Sequence, residues 1–276
     1  MAKRIVSTVL LWLFVFGVLW WFRTGGALLL IALLSVLTLR EFYQLLAGAG
    51  QKPFVKLGLV FGLLITLAPW LELRFALPFE HTLAAAVIVF AIRILGERDA
   101  TQRVEALGAT LFGLVYVALM FQYLVRIVLP LPGDTVGATG RLLLFLWLVA
   151  VAKFCDVGAL LSGMAFGRHK MSPGISPKKT WEGAIGGVII AMGVGAFVAW
   201  LARDYFPPRM TPLHAALFAA PLAVVGIVSD LVESVIKRRA AIKDSGSVIP
   251  GIGGMFDVSD SLILTAPLGY LLFGLR

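Results

Sequence analysis

Cysteine is almost absent: Cys155 is the single one in 276 residues. A lone thiol forms no internal disulfide and has no thiol partner for a zinc site, and its place in an apolar run reads as a small buried residue. Charge is scarce too. Only 14% of residues are charged, against about a quarter in an ordinary soluble domain. With 60% hydrophobic residues, that excludes a soluble globular chain and makes length a poor guide to domain count. Histidine is limited to three. His81 and His214 sit beside Pro-containing loops and suggest no role, and His169 lies in a basic loop, where an imidazole is more often solvated than a ligand. No segment clearly repeats another, so an inverted-repeat transporter has no support. No soluble basic domain is present to hold nucleic acid. The net charge of +9 therefore points first to loops facing anionic lipid.

What the chain has is apolar runs. Nine stretches read as membrane spans, at roughly 5–22, 25–39, 57–71, 82–95, 107–130, 142–165, 183–202, 213–236 and 257–275. The first follows Met1-Ala2-Lys3-Arg4, exceeds a secretory h-region in length and lacks an A-x-A-like site, so it is expected to be a retained span. The second, third and fourth are short. Assigning the loops alternately puts 16 of the 24 Lys and Arg residues on the N-terminal side and 7 on the other, with Lys153 inside a span. That bias predicts a cytoplasmic N-terminus and an external C-terminus. The expected fold is an all-α polytopic membrane protein of about nine transmembrane helices. Residues 1–140 would form N-terminal spans, and residues 141–276 a catalytic half with its motif loops on the cytoplasmic side.

The chemistry-bearing residues concentrate in residues 229–261, which pack five acids, four bases and a Gly/Pro cluster between two apolar runs. Asp230, Ser234 and Lys237 share one helix face at i, i+4, i+7, with Glu233 one turn from Asp230. Pro250-Gly251-Ile252-Gly253-Gly254 forces a loop, and Asp257 and Asp260 follow at one-turn spacing. Carboxylates, a basic run and exposed loop amides at a bilayer edge suit a metal and a phosphate; a charged loop marking the membrane surface is the plainer reading. In the sixth span Lys153 and Asp156 stand at i, i+3 and can pair. Charges at such depth cost about 2.5–3.5 kcal/mol on insertion scales, so they mark a function, a cavity or a structural ion pair. In the loop after it, Ser176-Pro177 resembles a helix N-cap with Pro at the first position. Lys178, Lys179 and Thr180 would then occupy a first turn, where cations are unfavourable unless an anion also binds. Trp181 is the tryptophan that departs from interfacial anchoring.

These elements resemble the phosphatidate cytidylyltransferase (CDP-diacylglycerol synthase) family. Its signature is S-x-x-K-R, four residues, K-D-x-G, two residues, an aliphatic, then P-x-H-G-G-x-x-D-R-x-D. Ser234, Lys237, Arg238, Lys243, Asp244, Gly246, Ile249, Pro250, Gly253, Gly254, Asp257 and Asp260 stand at matching places. The D-x-G-A run at 156–159 and I-S-P-K-K-T-W-E-G at 175–183 are similar to the family's as well. The resemblance spans roughly residues 153–261; the first half matches only as hydrophobic spans. Two positions depart: Ile252 stands where the family has His, and Val258 where it has Arg.

The resemblance implies transfer of CMP from CTP to phosphatidate, giving CDP-diacylglycerol and pyrophosphate, with Mg²⁺ as cofactor. It implies metal ligands at Asp230 and Asp257 and catalytic residues among Asp156, Ser234, Lys237, Asp244 and Asp260. Lys178, Lys179, Lys237, Arg238 and Lys243 are the candidates to grip phosphates, and Gly253 and Gly254 to let backbone approach the nucleotide closely. The implied partners are CTP, phosphatidate or a related lipid phosphate, and membrane lipids; a homo-oligomer is left open and no nucleic acid is expected. The implied location is the cell inner membrane, with the site facing the cytoplasm. Three alternatives remain open at this point: another lipid acceptor, an inactive lipid-binding relative, and an ion or solute transporter using Asp156, Asp230 and Asp257.

Overall fold

In a computed structural model the described residues are 2–96, 100–130, 136–242, 245–246 and 253–275, with side chains described from residue 10 and, after the first break, from residue 104. Each of the nine apolar stretches is helical. Helix α1 (Ala2–Gly48) takes in the first two and breaks direction at Arg23, where φ is 46° and ψ is −126°. The break falls at Arg-Thr-Gly-Gly, where glycine weakens a helix. Helices α2 (Val55–Thr66) and α3 (Ala68–Phe75) form one bent pair, at 62° to each other. Pro69 explains the bend: it has no N–H to donate and its ring collides with the preceding turn. Helix α4 (Phe79–Leu95) follows. Helix α5 (Ala100–Gly113) runs through a π-helical turn (Leu114–Leu119) into α6 (Met120–Val128). Helix α7 is Gly137–Phe166, α8 Trp181–Leu201, α9 Pro212–Arg239 and α10 Met255–Phe273.

Among the described residues six helices are long and apolar enough to cross a membrane, or seven if the bent pair counts as one span. With the apolar composition, that makes the chain an all-α polytopic membrane protein. The exception to all-helix is small: strands β1 (Lys170–Ser172) and β2 (Ser176–Thr180) pair antiparallel.

That hairpin corrects one expectation. No helix starts at Pro177. Residues 176–180 are extended, and α8 begins at Trp181 with Thr180 as its cap, the Thr180 Oγ1 accepting from the Gly183 amide at 3.2 Å. Pro173-Gly174 turns the chain and lets 176–180 pair back on 170–172, and strand pairing wins over the local Ser-Pro signal. Lys178 and Lys179 therefore lie on a strand rather than in a first helical turn, which removes the helix-terminus argument for an anion at these two lysines.

The chain divides into two compact units, residues 1–126 with 236–259, and residues 127–235 with 260–276. Helices α9 and α10 each contribute to both. In the first unit, Phe42 of α1 anchors an aromatic cluster with Phe112, Tyr116 and Phe256, at ring-centroid distances of 5.5, 5.7 and 5.7 Å. The Tyr43 hydroxyl donates to the Thr110 carbonyl at 2.9 Å. In the second unit α7 and α8 pack closely. A Cβ on Gly187 would stand 2.8 Å from the Cys155 carbonyl oxygen, so the contact requires glycine there. The Trp147 indole donates to the Gly195 carbonyl at 2.9 Å and lies edge-on to Phe273.

Candidate functional site

The second unit holds a charged network among apolar helices. Asp230 and Glu233 stand one turn apart on α9, and Asp260 lies on α10. One carboxylate oxygen from each lies within 4.8 Å of the other two. Glu233 is 1% exposed. Such a group is costly in an apolar surrounding unless cations share it. Lys179, delivered by β2, puts its ammonium 2.5 Å from Asp230. Lys153 of α7 lies 3.5 Å from Asp156 and 3.7 Å from Asp260. It also donates to the Ser261 hydroxyl at 2.8 Å, which donates to Asp156 at 3.2 Å. The Ser229 hydroxyl donates to the Asp260 carbonyl, and the Ser261 amide to the Asp260 carboxylate at 2.6 Å. The i, i+3 pairing expected of Lys153 and Asp156 is present. Oxygen-only donors of this kind suit Mg²⁺, which takes one or two carboxylates and completes its shell with phosphate oxygens and water; Asp230, Glu233 and Asp260 offer carboxylates from which one or two could be drawn.

The hairpin leading to this group has its own lock. Glu182, in the first turn of α8, accepts from the Arg168 amide at 3.1 Å and the His169 amide at 3.2 Å, and pairs with the His169 ring nitrogen at 2.6 Å. His169 thus holds the hairpin base. Lys178 and Trp181 are exposed.

The first unit holds Asp257. Its carboxylate accepts from Lys237 Nζ at 2.9 Å, from the Ser245 amide at 3.1 Å and from the Gly254 amide at 2.9 Å. The last bond is a helix-capping arrangement, an acid in the first turn reaching back to the cap amide. Beside it lies Glu41 of α1, 3% exposed. Glu41 accepts from the Ser245 hydroxyl at 2.8 Å and from the Met255 and Phe256 amides at 2.9 Å each. Gly253 has φ +131°, open to glycine at little cost. At Gly254 a Cβ would overlap both Ser245 Oγ and Glu41 Oε2. A side chain at 254 would thus meet these two protein groups.

Of the other expected site residues, Ser234 is half-buried on α9, one turn after Asp230, and Arg238 is exposed near the end of that helix. Lys243, Asp244 and Ile252 lie outside the described residues. Glu41 and Ser261 were not among the expected site residues, and Lys153 and Glu233 were singled out by spacing without a ligand or catalytic role. The signal for Glu41 was present: Phe42, Tyr43, Leu45 and Leu46 extend the apolar run beyond residue 39, which makes Glu41 an acid inside a span.

Comparison with known proteins agrees with this chemistry. A phosphatidate cytidylyltransferase from Synechocystis sp. is 32% identical, the alignment covering 98% of this chain and 95% of that protein. One from Thermotoga maritima is 30% identical over 88% of this chain and 87% of its own length. One from Rickettsia bellii is 34% identical over 59% of this chain and 74% of its own. Residues 2–275 match the cytidylyltransferase family as a whole, and the chain belongs to that family.

Proposed function

We propose that the protein is a phosphatidate cytidylyltransferase, transferring CMP from CTP to phosphatidate and releasing pyrophosphate. One observation carries the reading: relatives bearing that name align over nearly the full length of both chains. The carboxylate group at Asp230, Glu233 and Asp260, met by lysines in a membrane-embedded helix bundle, supports it.

In the reaction an anionic oxygen of the lipid phosphate attacks the α-phosphorus of CTP. A new P–O bond forms there, the bond to the β-phosphate oxygen breaks, and its electron pair leaves on pyrophosphate. The attacking oxygen is already ionised, so no strong general base is required. When bound, Mg²⁺ supplies charge neutralisation on the triphosphate. Asp230, with Glu233 and Asp260 beside it, would hold that ion, and the family resemblance assigns Asp257 to the same task. Lys179 and Lys237, partners of Asp230 and Asp257, and the exposed Lys178 and Arg238 are the chain's own groups for phosphate; the resemblance adds Lys243. Asp156 orients Ser261 and Lys153, and Ser234 and Asp244 keep the roles the motif implies.

The test is incubation of purified protein with CTP, Mg²⁺ and phosphatidate. The expected outcome is a CMP-lipid and pyrophosphate above the background of Asp257→Asn, despite Ile252 and Val258. Wild type equal to that background with every lipid phosphate tried, and switched on by Ile252→His with Val258→Arg, would mark an inactive relative.

Nine spans and a multi-pass inner-membrane location with the motif loops cytoplasmic complete the proposal. The break at Arg23, the bent α2–α3 pair and the 17-residue α4 supply the helices that nine crossings need, and the 16-to-7 cation bias sets the direction. Reporter fusions after Ala100, Ile175 and Ser245 should all read cytoplasmic. Opposite readings at 175 and 245 would separate the two motif loops and end the reading.

A further inference from the structure

We propose that Glu41 is a positioning residue for Asp257, an inference that rests on the cytidylyltransferase reading above. Glu41 is remote from every motif in sequence, 204 residues before Ser245. Yet the two carboxylates close the same backbone. Ser245 gives its hydroxyl to Glu41 and its amide to Asp257. At the start of α10, Gly254 gives its amide to Asp257, while Met255 and Phe256 give theirs to Glu41. Glu41 thereby binds both the arm that arrives at residues 245–246 and the helix end that leaves at 254–256.

This arrangement answers two costs at once. A carboxylate this buried needs strong donors, and amides at a helix N-terminus and a hydroxyl are such donors. The first amides of a helix lack intrahelical acceptors, and a negative charge there also meets the positive end of the helix dipole. The glycines complete the fit. A Cβ on Gly246 would stand 2.8 Å from Glu41 Oε1, and one on Gly254 would overlap Glu41 itself. Moving Glu41 moves Ser245 and the first turn of α10, and with them two of the donors that orient Asp257. Lys237 can follow the carboxylate but cannot fix its plane, because an ammonium on a flexible stem imposes no orientation.

The experiment compares full-length wild type with Glu41→Gln, Ser245→Ala and Ser35→Ala, all purified as monodisperse protein. Ser35 is the control. It is a buried hydroxyl on the same helix, bonded to Thr66 at 2.7 Å, outside this arrangement. Glu41→Gln is expected to lower kcat by about 10- to 100-fold, the range for residues that orient metal or catalytic ligands. It should also raise the Mg²⁺ concentration for half-maximal rate and leave KM for the lipid phosphate unchanged. Hydrogen exchange at the Met255 and Phe256 amides should quicken. Ser245→Ala should show a smaller loss of the same kind, and Ser35→Ala none. Wild-type kcat and Mg²⁺ dependence in Glu41→Gln would overturn the inference, as would an equal loss in Ser35→Ala. If wild type makes no CMP-lipid, the functional reading fails on its own, and exchange decides for Glu41: faster exchange at 255–256 upholds its hold on the helix end, and unchanged exchange refutes it.

Discussion

Asp230→Asn is expected to lower Mg²⁺-dependent CMP transfer by about a thousandfold, with insertion and folding intact. The magnitude follows from charge. A metal ion on a phosphoryl group contributes several kcal/mol of transition-state stabilisation, and each 1.36 kcal/mol is tenfold in rate. Asp230 also meets an ammonium, at 2.5 Å from Lys179. Asparagine keeps the volume and loses the charge, so α9 should pack as before while one anionic ligand disappears and Lys179 loses its partner. Raising Mg²⁺ should restore part of the rate, because a weakened site still fills at higher concentration. The check is the initial rate across a Mg²⁺ titration, on preparations matched for folded protein. A near-normal rate at low Mg²⁺ would remove Asp230 from the ligand set and leave Glu233 and Asp260 to be tested singly.

How much of this was legible in the sequence depends on the distance between partners. The nine apolar runs foretold helices because burial in a bilayer needs uninterrupted hydrophobic length, and each run is helical. Their ends were less readable. The second run continues past residue 39 to Gly48, because Arg40 and Glu41 read as a loop while Phe42, Tyr43, Leu45 and Leu46 keep the helix buried. Pairs set by the helical period were legible: Lys153 with Asp156, and Asp230 with Glu233. Pairs set by packing were not. Lys179 reaches Asp230 from a strand, and Glu41 reaches Ser245 across most of the chain; no local periodicity encodes either. The same limit explains the acids of α10. Asp257 and Asp260 are one turn apart, and spacing alone cannot say what each of them meets. In the second unit Asp260 lies with Asp230 and Glu233, and in the first unit Asp257 caps its own helix and meets Lys237. The glycines at 253 and 254 were readable as part of a loop. What leaves no room for a side chain at 254, the Glu41 carboxylate and the Ser245 hydroxyl, was not.

Lys153→Met is expected to cost stability before it costs chemistry. Lys153 is the shared cation of Asp156 and Asp260, at 3.5 and 3.7 Å, with side-chain exposures of 25%, 38% and 11% for the three. Its ammonium also donates to Ser261, which links α7 to α10. Removing one partner of a buried ionic set leaves the others uncompensated, at about 3–5 kcal/mol when fully buried. The partial exposure of Asp156 lets water take up some of that charge, so the low end, about 3 kcal/mol, is the expected loss. It should appear as a lower folded yield and an earlier loss of the monodisperse peak on heating. Methionine itself is not the problem, since its length and apolarity suit the span. The triple change Lys153→Met, Asp156→Asn, Asp260→Asn tests this. With the two acids neutralised no uncompensated charge remains, so the thermal midpoint should return towards wild type. Activity should not return with it, because Asp260 belongs to the carboxylate group. Stability recovered without turnover would separate the two tasks of this network. A triple variant as unstable as Lys153→Met would mean that Lys153 acts through packing rather than charge, and a Lys153→Met protein as stable as wild type would mean that the ion pairs contribute nothing to folding.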